Sequence, residues 1–185
     1  MSAEPVEPLE PQDLALAHLM HLARRRSLVI ADIEELDPTV GRVELIDGNL
    51  LLTPSADLPH QDLCLRLANE LNILAPPGLR AYLSVNVYDP GSDNVIFIPD
   101  VAVVDPALAV NNGKGVFPDA LALVIEVTSS NRETDLGVKK DWYMQRGIPY
   151  LVVDRKPDPF AYRAFGNWPA WAAPVVTPLR GQGPA

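Results

Sequence analysis

The chain has 185 residues, 48% of them hydrophobic, and its 15 Lys and Arg against 24 Asp and Glu give a formal net charge of −9. This length and apolar content suit one globular domain with extensions. The negative charge argues against a basic surface that would hold nucleic acid nonspecifically, so any contact with DNA must be local or assisted by a metal ion.

The expected compartment is the cytoplasm. The single cysteine, Cys64, cannot form an internal disulfide, and its leucine-rich surroundings indicate a buried thiol in a reducing compartment. No secretory apolar segment follows the acidic, Pro-rich start, and no apolar run approaches the roughly 20 residues needed to span a bilayer. We therefore expect no membrane partner.

Residues 1–12 hold three prolines and three glutamates and are predicted to form a mobile arm. Residues 13–39 are predicted to form a helical extension with two short apolar segments. The three arginines at residues 24–26 suit the negative end of a helix dipole, and a phosphate-binding patch is the alternative. His18 and His21 have a spacing that can bind metal, but without a third ligand nearby we interpret them as surface residues.

Residues 40–166 are predicted to form the core domain, which begins with a β-hairpin. Asp47-Gly48 separates two apolar runs, and glycine tolerates the positive φ of a tight primed turn. Glu44 alternates with Val43 and Leu45, so it should point away from the face that they share, where it could be only a solvated residue.

The remaining elements of the core follow from hydrophobic periodicity. Helical spacing over residues 60–74 places His60 in a first turn, and a capping box at Ser130 predicts a helix that ends near residue 146. Strands are predicted over residues 81–88, 95–98 with a continuation to 104, 121–127, 150–154 and 160–165. The tail, residues 167–185, is rich in Pro and Trp, and Trp168 and Trp171 should dock on the body or on a second subunit.

Two carboxylates mark the ends of buried strands. Asp100 follows the apolar run that ends at Pro99, and Glu126 closes the run over residues 121–127. Acids at the ends of strands covered on both faces are costly unless they are paired, hydrogen-bonded or bound to metal. They are candidates for one shared site for a hard cation, and solvated strand ends are the alternative.

At these motifs the chain resembles the Uma-type restriction endonucleases, a branch of the PD-(D/E)XK nuclease superfamily. The resemblance covers residues 40–155 and rests on the order and spacing of weak motifs: residues 43–48, His60-Gln61, Pro99-Asp100, and residues 124–127, 135–143 and 147–154. It implies an α/β fold of restriction-endonuclease-like type, with a mixed central sheet flanked by helices.

The resemblance also implies roles for individual residues. Asp100 and Glu126 would be metal ligands, with Glu44 as a third acidic member of the site. The superfamily pattern expects lysine two positions after the second acid, where this chain has Thr128, and in this branch Lys139 of the following helix matches that role. His60, Thr128 and Lys140, the neighbour of Lys139, would line the site.

The function that the resemblance implies is a Mg²⁺- or Mn²⁺-dependent endonuclease that hydrolyses DNA. We also expect the chain to form a homodimer. Its catalytic set would be Glu44, Asp100, Glu126 and Lys139. The alternative is a catalytically inactive module of the same fold that binds nucleic acid or regulates. A structural protein that uses its Trp-rich tail to oligomerise is a third interpretation.

Overall fold

The structure is a computed structural model, and it describes residues 11–34, 42–53, 55–128, 132–155 and 161–176. Most of the predicted arm, Ser130 and the end of the tail therefore lie outside the described residues. The helices are α1 (Pro11–Ala23), α2 (Ile30–Glu34), α3 (Leu58–Leu74), α4 (Arg132–Thr134), α5 (Lys140–Gln145) and α6 (Ala173–Val176), with a π-helical turn over Asp135–Lys139. The strands are β1 (Arg42–Ile46), β2 (Asn49–Thr53), β3 (Arg80–Leu83), β4 (Asn86–Tyr88), β5 (Ile96–Phe97), β6 (Val101–Val104), β7 (Gly115–Val116), β8 (Leu121–Val127), β9 (Tyr150–Asp154) and β10 (Ala161–Phe165).

The described strands form two mixed sheets. The first has the order β2-β1-β5-β4-β7 and the second the order β10-β9-β8-β6-β3. The pairs β4–β7 and β8–β9 are parallel, and the other pairs are antiparallel. The predicted α/β class with a mixed sheet and flanking helices is confirmed, and the sheet is divided into two.

The first hairpin follows the sequence prediction. β1 and β2 pair so that Ile46 lies opposite Asn49, which leaves a two-residue loop. Asp47 and Gly48 both have positive φ, 51° and 75°, as a type I′ turn requires. This turn fixes the register of β1, which carries Arg42 and Glu44.

Two strand predictions were wrong because the chain crosses between the sheets. The predicted strand over residues 81–88 breaks at Ser84, whose φ is 53°, so that β3 pairs with β6 and β4 pairs with β5. The predicted continuation from residue 95 to 104 breaks between β5 and β6, at Pro99. Proline has no N–H to give to a ladder, so it commonly sits where a strand ends.

The core also receives the extension and the tail. Leu63, Leu67 and Leu71 of α3 pack on the second sheet, and the partly buried Trp168 and Trp171 join the same cluster. The tail therefore docks on the body, as one alternative predicted. The extension packs in the same way: its buried Leu19 and Leu28 cluster with Leu45, Tyr88 and Ile96 of the first sheet.

The helix after β8 is irregular where a regular helix was predicted. Gly137 departs from helical geometry, with φ −106° and ψ −107°, and the turn around it is π-helical. The irregular turn buries Asp135 and Lys139, while Lys140 remains half-buried. π-Helical turns are often found at functional sites. Within the described ranges, no helix is long and apolar enough to cross a membrane.

Candidate active site

Asp100 and Glu126 face each other across two paired strands. β6 and β8 are antiparallel, with Val101 opposite Ile125, so the acids just beyond these residues are neighbours. The backbone N–H of Asp100 donates to Oε2 of Glu126 at 3.2 Å, and the N–H of Val127 donates to Oδ2 of Asp100 at 2.8 Å. Both carboxylates are buried, so the solvated-end alternative does not hold for them.

Glu44 reaches the same place from the first sheet. Its side chain is fully buried, and one carboxylate oxygen accepts a hydrogen bond from the N–H of Ile98 at 2.7 Å. Alternation along β1 does turn Glu44 away from Leu45, but that face meets the second sheet rather than water. The interpretation of Glu44 as a solvated residue was therefore wrong.

Lys139 joins the acids of the two sheets. Its Nζ lies 2.9 Å from Oε1 of Glu44 and 3.0 Å from Oε1 of Glu126. Asp135, one turn earlier in the π-helical segment, lies 3.6 Å from the same nitrogen. A lysine from the helix after β8 thus reaches back to the strand acids, although Thr128 occupies the position two residues after Glu126.

Arg42 is the second cation among these acids. Its Nη1 donates to Oδ1 of Asp100 at 2.6 Å, and its Nη2 lies 3.8 Å from Oε2 of Glu126. The guanidinium side chain is 20% exposed, so it lies at the mouth of the group. Arg42 therefore bridges the two acids that the resemblance identifies as metal ligands.

His60 contacts Asp100 from the first turn of α3. The N–H of His60 donates to Oδ1 of Asp57, the N-cap of that helix, at 2.8 Å. The ring Nε2 lies 3.1 Å from the carbonyl oxygen of Val127 and 3.3 Å from Oδ2 of Asp100, and Nδ1 lies 3.5 Å from Sγ of Cys64. The ring therefore links Asp100 to the buried thiol.

Of the two remaining residues predicted to line the site, Thr128 lies in the cleft and Lys140 does not. Thr128 is buried in the cleft wall, where its hydroxyl donates to Asp154 at 3.2 Å. Lys140 does not line the site: its Nζ lies 3.1 Å from Asp141 and 5.7 Å from the ring centre of Phe165. The prediction for Lys140 was wrong because adjacent helical residues point in different directions.

The protonation states follow from burial and from the two cations. Burial alone would raise the pKa of Asp100, but His60 and Arg42 outweigh it and hold that pKa well below its usual range. Burial raises the pKa of Glu126 well above its usual range, with Lys139 opposing and Asp100 adding to the rise. Burial would lower the pKa of Lys139, but Glu126 and Glu44 reverse this and raise it. The ammonium therefore stays charged.

The donor set fits a hard divalent cation. The group contains four carboxylates, those of Glu44, Asp100, Glu126 and Asp135, against the two permanent cations Arg42 and Lys139. If all four were ionised, the group would hold a buried excess of negative charge, which is costly unless a cation neutralises it, and the raised pKa of Glu126 reflects this cost. Carboxylate oxygens are the ligands that Mg²⁺ and Mn²⁺ prefer. Glu44 is the least available of the four because Lys139 and the N–H of Ile98 already hold it.

Sequence reasoning missed three members of this group. Arg42 stands just before the first motif, and the sequence of a strand does not indicate that the guanidinium group of this residue would contact Asp100. Asp135 lies four residues before Lys139, a spacing that places an acid beside a lysine on a helix. Cys64 lies four residues after His60, and the same rule could have paired them.

Comparisons with known proteins identify a family and a similar fold. Residues 30–162 match the model of the Uma2 family, described as "Putative restriction endonuclease". A structure titled as a putative nuclease belonging to DUF820 from Anabaena variabilis ATCC 29413 is similar in fold, with a TM-score of 0.59 and 17% sequence identity. The alignment covers 80% of this chain and 92% of that chain. The comparison with curated proteins gave no significant match.

Proposed function

This chain belongs to the Uma2 family, and from that premise we propose that it is a metal-dependent endonuclease that hydrolyses phosphodiester bonds of DNA. The observation that carries the proposal is the position of Lys139. Its ammonium lies about equally far from Glu44 and Glu126, at 2.9 and 3.0 Å, in a helix that no local sequence rule ties to either strand. A lysine beside strand acids can stabilise the charge that builds on the phosphoryl oxygens during phosphodiester hydrolysis.

Asp100 and Glu126 are the residues that would hold Mg²⁺ or Mn²⁺. They lie on neighbouring strands, and their backbone and side-chain hydrogen bonds fix their relative position. When bound, the ion would shield the charge that builds on the phosphoryl oxygens and acidify a bound water. Both residues line an open cleft between the hairpin and the start of α3, where a DNA backbone has access.

Lys139 supplies the positive charge from the protein itself. Its raised pKa keeps the ammonium charged at neutral pH, so it can stabilise charge on the phosphate or orient the attacking water. Glu44 positions that ammonium through its contact at 2.9 Å. Glu44 thus acts on the reaction through Lys139, whereas the resemblance alone would make it a third metal ligand.

An inactive module of the same fold that binds nucleic acid is the second candidate, and one observation favours it. The acids of the site are already paired by cations of this chain: Arg42 holds Asp100, and Lys139 holds Glu44 and Glu126. Such a network can stand as a structural unit, because buried ion pairs often persist without a catalytic role.

Cleavage of supercoiled plasmid separates the two candidates. The purified chain should nick the plasmid with Mg²⁺ or Mn²⁺ and not with a chelator, and Asp100→Asn and Glu126→Gln should abolish the nicking. The matched control is Asp62→Asn, an exposed carboxylate of α3 whose partner is Arg66; this surface pair contributes little. Metal-independent DNA binding without nicking would support the inactive module. Nicking that survives both site substitutions would refute the proposed site.

A further inference from the structure

His60, Cys64 and Asp100 form a compact set of metal-ligating side chains. Each offers one ligand atom, and these three atoms lie within 4.8 Å of one another. His60 and Cys64 are one turn apart on α3, and Asp100 precedes β6. All three are buried, yet all three line the cleft. The group is therefore enclosed but reachable by a small ion.

The orientation of the His60 ring suits a metal ligand. Its Nε2 lies 3.1 Å from the carbonyl oxygen of Val127, which can only accept a hydrogen bond, so Nε2 carries the proton. The lone pair is then on Nδ1, which faces Sγ of Cys64. Histidines that bind metals usually donate their other ring N–H to a carbonyl or carboxylate in this way.

The spacing of the sulfur and the nitrogen also suits a tetrahedral ion. Zn²⁺ binds thiolate at about 2.3 Å and imidazole at about 2.0 Å, which places the two ligands about 3.5 Å apart at the tetrahedral angle. Sγ of Cys64 and Nδ1 of His60 are 3.5 Å apart. A thiol that donates to the imidazole would show the same distance, and the experiment below distinguishes the two.

We propose that Nδ1 of His60 and Sγ of Cys64 bind a thiophilic divalent cation such as Zn²⁺, and that Asp100 joins them by turning its carboxylate away from the Nε2 side of the ring, where Oδ2 lies 3.3 Å from Nε2. This site is distinct in chemistry from the Mg²⁺ or Mn²⁺ site. As the Sγ–metal bond forms, the thiol releases its proton to solvent. Thiolate and imidazole favour Zn²⁺ strongly over Mg²⁺, which keeps to oxygen ligands. Water completes the coordination on the cleft side.

The shared carboxylate makes the two sites compete. Asp100 is the one member common to both, and it has a single carboxylate to turn towards either the thiol or Glu126. A thiophilic ion held by Asp100 therefore removes a ligand of the hard ion and inhibits cleavage. This second step rests on the proposed nuclease function, while the binding of the thiophilic ion does not.

Titration with Co²⁺, a spectroscopic substitute for Zn²⁺, tests the binding step. The reduced, chelator-treated full chain should bind one equivalent and develop a thiolate-to-cobalt charge-transfer band, which Zn²⁺ then removes. Because the chain has one cysteine, this band reports Cys64 alone. Cys64→Ser and His60→Asn should lose it, with circular dichroism to show that each variant is folded.

The control addresses the other two histidines of the chain. His18 and His21 are exposed and three residues apart on α1, so they could bind Co²⁺ weakly through nitrogen. The double variant His18→Asn/His21→Asn should keep the charge-transfer band at full intensity. Absence of the band in the parent chain, or a band that survives His60→Asn in a folded variant, would overturn the site and leave the S–H···N hydrogen bond as the explanation.

Competition with Mn²⁺ tests the coupling separately. Manganese bound to the protein gives little of the electron paramagnetic resonance signal of the free ion. Zn²⁺ should restore that signal at a lower Zn²⁺ concentration with the parent chain than with Cys64→Ser, where Zn²⁺ can displace Mn²⁺ only by direct competition at the carboxylates. A cobalt band with no release of Mn²⁺ would refute the shared use of Asp100. Neither the cobalt band nor the release of Mn²⁺ depends on nuclease activity, so both tests remain valid if the chain proves not to be a nuclease.

Discussion

Nζ of Lys139 lies 2.9 Å from Oε1 of Glu44, and both side chains are almost wholly buried, at 2% and 1% exposure. The two residues are 95 positions apart and belong to different layers: Glu44 lies in the first sheet, and Lys139 lies in the helix that follows β8 of the second. The pair therefore ties the two sheets together at the point where the predicted chemistry is located.

Lys139→Met should abolish metal-dependent nicking and destabilise the fold. Methionine keeps most of the side-chain volume but leaves Glu44 and Glu126 without their shared cation. Loss of one partner of a buried ion pair typically costs about 3–5 kcal/mol. Urea denaturation at neutral pH measures this loss, and plasmid nicking measures the activity.

Lys140→Met is the matched control for that change. Lys140 is the next residue in the chain and has the same charge, and its Nζ lies 3.1 Å from the exposed Asp141 and 5.7 Å from the centre of the Phe165 ring. Surface pairs of this kind contribute about 0–1 kcal/mol, so its stability and activity should stay close to those of the parent. Equal losses in the two variants would mean that Lys139 has no special place in the site.

The hairpin and the long strands are predictable because their determinants are local. The dipeptide Asp47-Gly48 predicts a type I′ turn, and the apolar runs of β8 and β9 predict strands that are covered on both faces. The break at Ser84 has no such marker, since neither Gly nor Pro stands there, and only tertiary contacts divide β3 from β4. The family resemblance could point to Lys139, but its burial depends on the π-helical turn at Gly137, which no periodicity predicts.

The electrostatic surroundings were the least predictable part of the site. Asp100 and Glu126 could be identified as costly acids, yet what each one contacts depends on side chains from three other segments, which supply Arg42, His60 and Lys139. Arg42 and His60 reach Asp100 from β1 and α3, over separations of 58 and 40 positions. Hydrogen bonds across such distances follow from the assembled fold and leave no pattern in the sequence.

Gly48→Ala should destabilise the chain more than Gly78→Ala. Both glycines have positive φ, +75° and +95°, so both substitutions carry the conformational cost of an L side chain there, about 1–2 kcal/mol. A Cβ at Gly48 would also lie 2.6 Å from Cβ of Ser27 and 3.0 Å from the carbonyl oxygen of Leu28, whereas one at Gly78 would meet nothing within 4 Å. The two variants should therefore differ by about 1 kcal/mol or more in their free energy of unfolding, measured by thermal or urea unfolding. Equal losses of stability would show that the positive φ alone determines the cost of the substitution.

The stability of the chain relative to Asp135→Asn should depend on pH. Burial raises the pKa of Asp135 to about 6, with Lys139 opposing the rise and Asp100 and Glu44 adding to it. The unfolded carboxyl has a pKa near 3.9, so the stabilising effect of protonation is complete below about pH 4 and is lost as the pH rises through 6. Asparagine stays neutral throughout.

The free energy of unfolding of Asp135→Asn, minus that of the parent, should therefore increase between pH 4.5 and pH 8, by about 2 kcal/mol for a shift of two pKa units of which part lies below pH 4.5. Urea denaturation at the two pH values measures it. Asp141→Asn removes the charge of an exposed acid on α5 and is the matched control. A difference for Asp135→Asn that is flat or falls with rising pH would contradict the raised pKa.

Arg42→Met should increase the affinity for Mn²⁺. In the parent chain, the guanidinium lies 2.6 Å from Oδ1 of Asp100 and 3.8 Å from Oε2 of Glu126, so a metal ion must displace it from the two acids that would bind the metal. Without Arg42 the acids lose their cation, so the variant should unfold at a lower temperature in chelator and recover on addition of Mn²⁺, since a ligand that binds only the folded state stabilises it.

Calorimetric titration with Mn²⁺ and thermal unfolding with and without the metal measure these effects. Arg155→Met is the matched control, because Arg155 also lines the cleft but pairs with the exposed Asp57 rather than with Asp100. It changes the net charge by the same amount, so a gain in affinity common to both variants would be a general electrostatic effect. If only Arg42→Met gains affinity for Mn²⁺, Arg42 competes with the metal for the two acids. Weaker Mn²⁺ binding in that variant would instead show that Arg42 helps to hold the acids in a position that binds the metal.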